Sequence, residues 1–241
     1  MKTIVITGTT QGLGLETAKC CLAAGHQVLA INRRTTPELE QLKAAFDSTL
    51  RMVTLDLANS SELTSDHLNQ IAELNVPIDG LVNNAAIAYD DLVTNLRHED
   101  LEAMYRVNVF APMMLTRWAI RNMLLHERAG SIIHVSSVST YTGYKGLAMY
   151  ASTKGAIEAF SKNVAREWGS RNIRSNCVVP GFMETTMSAG LDSEAKNKIY
   201  RRTSLQQPTS LSSVAQTICF LLSDASGSIT GQNVVVDSGT I

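Results

Sequence analysis

Tyr150 and Lys154 stand four positions apart in the run Tyr150-Ala151-Ser152-Thr153-Lys154, and Ser137 lies thirteen positions before the tyrosine. These residue types suit the reduction of a carbonyl. A ketone that takes a hydride on carbon must gain a proton on oxygen, and a phenol can supply it. A free phenol titrates at about 10, so a nearby cation is needed to steady the phenolate near neutral pH. Lys154 meets that need, because four helical residues rise by about 6 Å and bring both side chains to one face. From there Lys154 can also hold a nicotinamide ribose. Ser137 would donate to the substrate oxygen and stabilise the developing alkoxide. Ser136 and Ser139 are its neighbours and the alternatives to it, and the thirteen-residue spacing favours Ser137.

Such a trio needs a frame. An apolar strand pattern at 131–136 carries Ser137 at its end, and a helix at 150–168 carries Tyr150 and Lys154, with Ala156, Ile157, Ala159, Phe160 and Val164 on its apolar or small-residue face. At the start of the chain a strand at 2–7 runs into Gly8-Thr9-Thr10-Gln11-Gly12-Leu13-Gly14 and then a helix at 13–24, ended by Gly25. A glycine-rich strand-to-helix turn lets backbone N–H groups approach a diphosphate. Gly8, Thr10, Gln11, Gly12, Leu13 and Gly14 are therefore the candidate phosphate contacts. Their spacing, Gly-x-x-x-Gly-x-Gly, differs from the Gly-x-Gly-x-x-Gly of the commoner dinucleotide fingerprint.

The end of the second strand, predicted at 28–31, selects the cofactor. An acid there would bind a ribose 2′-hydroxyl, whereas arginine accommodates a 2′-phosphate. The residues are Asn32-Arg33-Arg34, which favours NADP(H), with Arg33 first and Arg34 second, and leaves NAD(H) as the alternative. Asp56 after a strand at 52–55, and Asn83-Asn84-Ala85-Ala86 after a strand at 80–82, fall at sheet ends where an adenine and ribose would lie. The remaining pattern gives helices at 37–46, 61–74, 101–125 (with a break expected near Pro112), 193–202 and 212–222. Further strands are expected at 173–178 and 234–236. This alternation predicts a single-domain α/β protein over 1–241: a Rossmann-like, doubly wound, parallel seven-stranded sheet with helices on both faces.

Composition narrows the partners. The 241 residues carry a net charge of −1 and no basic stripe, which argues against nucleic acid. Hydrophobic residues make up 44% of the chain, enough for an ample core, yet no stretch is long enough to span a membrane. Residues 1–7 already follow a strand pattern without an apolar leader, so no signal peptide is expected. Cys20, Cys21, Cys177 and Cys219 sit inside predicted elements and form no disulfide framework, which fits a cytoplasmic protein. The five histidines show no ligand spacing, and no metal is expected.

Taken in order, these motifs resemble the short-chain dehydrogenase/reductase family in its single-domain branch, across essentially the whole chain. The resemblance implies that Thr7-Gly8-x-x-x-Gly12-x-Gly14 is the cofactor turn, that Asp56-Leu57 contacts adenine, and that Asn83-Asn84-Ala85-Ala86 is the family's strand-four motif. It adds Asn108 to Ser137, Tyr150 and Lys154 as a fourth active-site residue, anchoring a water chain to the lysine. It also places Pro180, Gly181, Met183 and Thr185 under the nicotinamide. Within the family the chain is most similar to β-ketoacyl-ACP reductases, through 180–185 followed by Met187 and through Ile229-Thr230-Gly231-Gln232. That likeness implies an acyl carrier protein docking at Arg128 and Arg171, and a homotetramer or homodimer. Three positions depart from the family pattern: Ala86 replaces a glycine, Ser238 replaces the middle residue of Asp-Gly-Gly, and Gln11 stands where NADP-preferring members often carry a basic residue.

The activity expected is NADPH-dependent reduction of a 3-oxoacyl thioester, with a polar lid at 184–208 shaping the substrate site. A dehydrogenase of a small free alcohol, sugar or steroid-like ketone is the second reading. A non-catalytic dinucleotide sensor is the third.

Overall fold

The computed structural model describes residues 1–241 apart from 60–62, 72, 186–187, 189 and 191. Short β-branched runs form the strands. Thr3–Thr7 (β1), Gln27–Asn32 (β2), Leu50–Thr54 (β3), Gly80–Asn83 (β4), Gly130–Val135 (β5), Ile173–Pro180 (β6) and Asn233–Val236 (β7) make one sheet. Its order is β3-β2-β1-β4-β5-β6-β7, with every neighbouring pair parallel. The helices are Gly12–Ala23 (α1), Pro37–Ala45 (α2), Ser65–Gln70 (α3), His98–Tyr105 (α4), Ala111–Leu125 (α5), Ser139–Thr142 (α6), Ala148–Trp168 (α7), Ser193–Tyr200 (α8) and Leu211–Leu222 (α9).

Alternation along β1 shows how the layers close. Ile4 and Ile6 pack with α1, α2 and α9 on one face, while Val5 packs with α3, α5 and α7 on the other. The sheet is thus buried on both sides, and the strand order reverses between β1 and β4. Ligands of open α/β sheets bind at such a reversal, beyond the carboxyl ends of the strands.

Three differences from the sequence expectation have local causes. The helix expected at 101–125 begins at His98 and is interrupted by a π turn at Arg106–Phe110, where the Ala111 N–H donates to the Arg106 carbonyl five residues back. Pro112 follows directly and has no N–H to give, so the widened turn takes up the fault that proline creates. The helix expected at 61–74 spans only Ser65–Gln70: Thr64 caps His67 N–H at 3.2 Å, and Ile71 turns extended; its expected start at Ser61 lies outside the described residues. β6 runs two residues further than expected because Pro180 closes the ladder beside Val236, and Gly181 N–H bonds the Val236 carbonyl at 2.9 Å. The short helix α6, which begins two residues after Ser137, had no periodic signal.

Candidate active site

The carboxyl ends of β1, β4, β5 and β6 open onto a cleft of about 780 Å³. Its floor is the glycine turn. Gly8 has φ +73°, and a side chain there would bring a Cβ to 2.9 Å from the Ala85 Cα; a Cβ on Gly14 would lie 2.0 Å from the Gly8 carbonyl oxygen. Both positions therefore need glycine. The turn is tied down from two sides. Asn84 Nδ2 donates to the Thr7 and Gly8 carbonyls at 2.9 and 3.1 Å, and Thr7 Oγ1 accepts the Asn84 and Ala85 N–H groups at 3.0 Å each. Asn32 turns inward instead of toward a ribose: its Oδ1 accepts Thr9 N–H at 2.7 Å and its Nδ2 donates to Thr9 Oγ1 at 2.8 Å. The side chain of Asn32, a predicted cofactor contact, is thus engaged in bracing the turn.

The turn fits a diphosphate. Side chains of Thr36, Thr64, Asp192 and Ser210 cap α2, α3, α8 and α9; α1, like α4, α5, α6 and α7, starts without a side-chain cap, and it has no acid in its first turn. Its leading N–H groups are left for an anion. Gly8, Thr10, Gln11, Gly12, Leu13 and Gly14 all line the cleft. Asn84, Ala85 and Ala86 face them, and Pro180, Gly181, Met183 and Thr185 form the opposite wall. Asp56, Leu57, Arg33 and Arg34 fall outside this wall, on the same sheet edge beyond β2 and β3. Leu57 packs on the core, and Asp56 Oδ1 accepts Ala58 N–H at 3.0 Å. Arg33 and Arg34 are exposed.

Ser137, Tyr150 and Lys154 all line the same cleft. Ser137 Oγ accepts Ser139 N–H at 3.2 Å, which leaves its own proton free to donate. Lys154 Nζ lies 5.5 Å from the centre of the Tyr150 ring and donates to the Val135 carbonyl at 2.8 Å. Burial lowers the Lys154 pKa from 10.5 to about 8. The tyrosine departs from expectation: burial first, and the Asp90 carboxylate second, push Tyr150 up to about 12. Desolvation of the phenolate dominates, and the Lys154 ammonium is itself buried and drawn to the Val135 carbonyl. In this arrangement Tyr150 is a protonated phenol, the form that donates.

Asn108 sits in the π turn and does not line the cleft. Its Nδ2 donates to the Ile87 carbonyl (2.8 Å) and to Thr153 Oγ1 (3.1 Å), and its Oδ1 accepts Ile87 N–H (2.9 Å). It stitches the loop after β4 to α7, one residue before Lys154. Arg128 and Arg171 lie before β5 and β6, at the amino ends of strands whose carboxyl ends form the cleft; Arg128 Nη1 is 3.7 Å from Asp79 Oδ1.

Sequence reading missed several residues of the site. Asp90, Lys145 and Arg202 line its outer part, and none has an ion-pair or side-chain hydrogen-bond partner among the described residues. Only the fold brings these three loops together, so no spacing announced them. The expected lid at 184–208 includes 186–187, 189 and 191, and with them the Met187 of the family likeness, which lie outside the described residues. Of its described part, α8 is held by Tyr200 OH donating to Glu184 Oε1 at 2.6 Å, and Ile199 and Arg202 reach the cleft. Among the described residues no three His, Cys, Asp or Glu side chains converge as metal ligands, and the four cysteines are free thiols.

A glycine-turn cleft at the sheet reversal, closed by a serine, a tyrosine and a buried lysine, defines a dinucleotide-dependent oxidoreductase. The chain belongs to the short-chain dehydrogenase/reductase family: a model of that family, described as enoyl-(acyl carrier protein) reductase, matches residues 8–240. The 3-oxoacyl-[acyl-carrier-protein] reductase of Chlamydia trachomatis serovar D is 33% identical, over 99% of this chain and 96% of that protein. Among solved structures, a putative NAD(P)-dependent gluconate 5-dehydrogenase from Beutenbergia cavernae with bound NADP superposes with a TM-score of 0.92 at 27% identity, covering 99% of this chain and 96% of the other. A 4-hydroxyisoleucine dehydrogenase complexed with NADH also gives 0.92 at 27% identity, covering 100% and 98%.

Proposed function

We propose that this protein reduces a ketone to a secondary alcohol with NADPH, and that the ketone is a 3-oxoacyl thioester. The observation that carries the reading is the convergence of Ser137, Tyr150 and Lys154 on the cleft that the glycine turn floors. When bound, the nicotinamide dinucleotide supplies the hydride. Ser137 donates its free hydroxyl proton to the substrate oxygen and holds it beside Tyr150. Tyr150 then gives its proton to that oxygen as negative charge builds there. Lys154 steadies the phenolate left behind and, from one helical turn away, can reach a ribose hydroxyl. Asn108 keeps α7 in register with the loop after β4.

NADPH is preferred over NADH because no acid stands at the end of β2: Asn32 spends its amide on Thr9, and Arg33 and Arg34 are exposed beyond it. The thioester substrate rests on likeness to the chlamydial reductase over nearly the full length of both chains. A specific observation favours a second reading. Asp90, Lys145 and Arg202 give the outer cleft unpaired charges of both signs, which suit a small polar or acidic ketone better than an alkyl chain. Two solved relatives act, by name, on gluconate and on a hydroxylated amino acid. Docking of an acyl carrier protein at Arg128 and Arg171, self-association and a cytoplasmic location complete the proposal.

One assay separates the readings. Purified protein with NADPH is offered a neutral 3-oxoacyl thioester and a small keto acid, and cofactor oxidation is followed. Turnover of the thioester with the higher kcat/KM supports the first reading, and preference for the keto acid replaces it with the second. Tyr150→Phe should lower kcat by about a thousandfold while the NADPH dissociation constant stays within about twofold. Arg33→Ala should raise KM for NADPH by roughly tenfold and leave NADH unchanged. Absence of turnover with every ketone would sink the proposal.

A further inference from the structure

Glu158 is buried on α7, four residues beyond Lys154 and eight beyond Tyr150. At that spacing all three side chains leave the helix on one face. Among the described residues, the carboxylate is met only by donors. Ser136 Oγ and Thr140 Oγ1 donate to Oε1 at 2.5 and 3.0 Å, and Tyr141 OH and Asn233 Nδ2 donate to Oε2 at 3.0 and 2.8 Å. These donors come from three places: the end of β5, the short helix α6 and the start of β7.

Two of them bracket Ser137. Ser136 precedes it, and Thr140 closes the turn after it: its N–H donates to the Ser137 carbonyl at 3.2 Å, and its single hydroxyl proton is shared between that carbonyl at 2.9 Å and Glu158 Oε1. Backbone bonds from Ser136 N–H to the Val178 carbonyl (2.8 Å) and from Val138 N–H to the Pro180 carbonyl (3.1 Å) tie the turn to β6, and α6 beyond it is only four residues long with no side-chain cap. Tyr150 and Lys154 ride on α7, whereas Ser137 lies two residues past the end of β5. The relative placement of the two parts depends on what joins α7 to the β5–α6 turn: Lys154 Nζ does so at the Val135 carbonyl before Ser137, and Glu158 does so on both sides of it, at Ser136 and Thr140.

We infer that Glu158 is a positioning residue of the reaction, fixing the Ser137 hydroxyl against Tyr150 by clamping Ser136 and Thr140 to the catalytic helix. The inference rests on the reductase reading of the site. Glu158 acts through Ser137, so its effect must vanish when the Ser137 hydroxyl is gone. A plain loss of packing would persist.

The test is a double-mutant cycle on the full chain with the ketone the wild type reduces best. Glu158→Gln keeps the volume but turns one acceptor into a donor facing donors. It should lower kcat by about tenfold, with KM for NADPH within about twofold of wild type. In a Ser137→Ala background the same substitution should change kcat by less than about twofold. Equal losses in both backgrounds, or no loss in the first, overturn the inference while leaving the reductase reading intact. A wild type inactive on every ketone overturns both. Should Glu158→Gln fail to fold, Thr140→Val takes its place in the same cycle, with the same outcomes deciding.

Discussion

At the scale of single residues, burial sets the chemistry of the cleft more than charge does. Tyr150 is pushed up to about 12 and Lys154 down to about 8, so near neutral pH one is a phenol and the other an ammonium ion. Lys154 loses its proton as pH rises through about 8, and with it the cation that steadies the phenolate. The kcat/KM for NADPH, which reports the free enzyme, should therefore be flat below that pH and fall on the alkaline side. Lys154→Arg, lower in activity throughout, should move that limb upward by at least about 2 pH units, because guanidinium keeps its proton. An unmoved limb would assign it to another group. Ser137, Tyr150 and Lys154 were legible in the sequence because their spacing is local to one strand end and one helix. Asp90 and Glu158 were not. Asp90 bears on Tyr150 only across the cleft, and Glu158 meets its partners only once β5, α6 and β7 are assembled.

At the scale of elements, the strands and most helices were readable from periodicity, and the errors fall where tertiary contacts or backbone geometry overrule it. Pro112 announced a break in its helix, but the form of that break, a π turn that presents Asn108 to Ile87 and Thr153, depends on the packing of α5 and α7. Ser238 is a second case. It stands where the family pattern that the sequence resembles would have glycine, and its φ is +58°. A left-handed conformation costs a non-glycine residue about 1–2 kcal/mol, while glycine gives back about 0.4–1 kcal/mol through the unfolded chain. The first term wins, and the Ser238 Oγ contact with the Pro208 carbonyl is long at 3.4 Å and offsets little. Ser238→Gly should therefore stabilise the protein by about 0.5 kcal/mol, a rise of about 1–2 °C in Tm by calorimetry. A fall in Tm would mean that this hydrogen bond outweighs the strain.

At the scale of the whole molecule, the parallel sheet separates two ends that do different things. The carboxyl ends of β1, β4, β5 and β6 hold the cleft, while Arg128 and Arg171 stand at the amino ends of β5 and β6. β5 alone has six residues, so the two ends are about 20 Å apart along the strand. On the docking proposed above, a carrier protein at those arginines would face away from the cleft of its own chain, and in an oligomer it would feed the cleft of a neighbour. Arg171 is the cleaner probe, because Arg128 lies beside Asp79, whose Oδ2 also accepts Thr3 N–H at 2.8 Å. Arg171→Glu should raise KM for a carrier-bound substrate by about tenfold and leave a free thioester within about twofold. Mixing Arg171→Glu chains with Tyr150→Phe chains should then restore part of the carrier-dependent rate, because the second supplies an intact dock and the first an intact cleft. Docking that served its own chain would give no restoration, since no single chain in the mixture holds both.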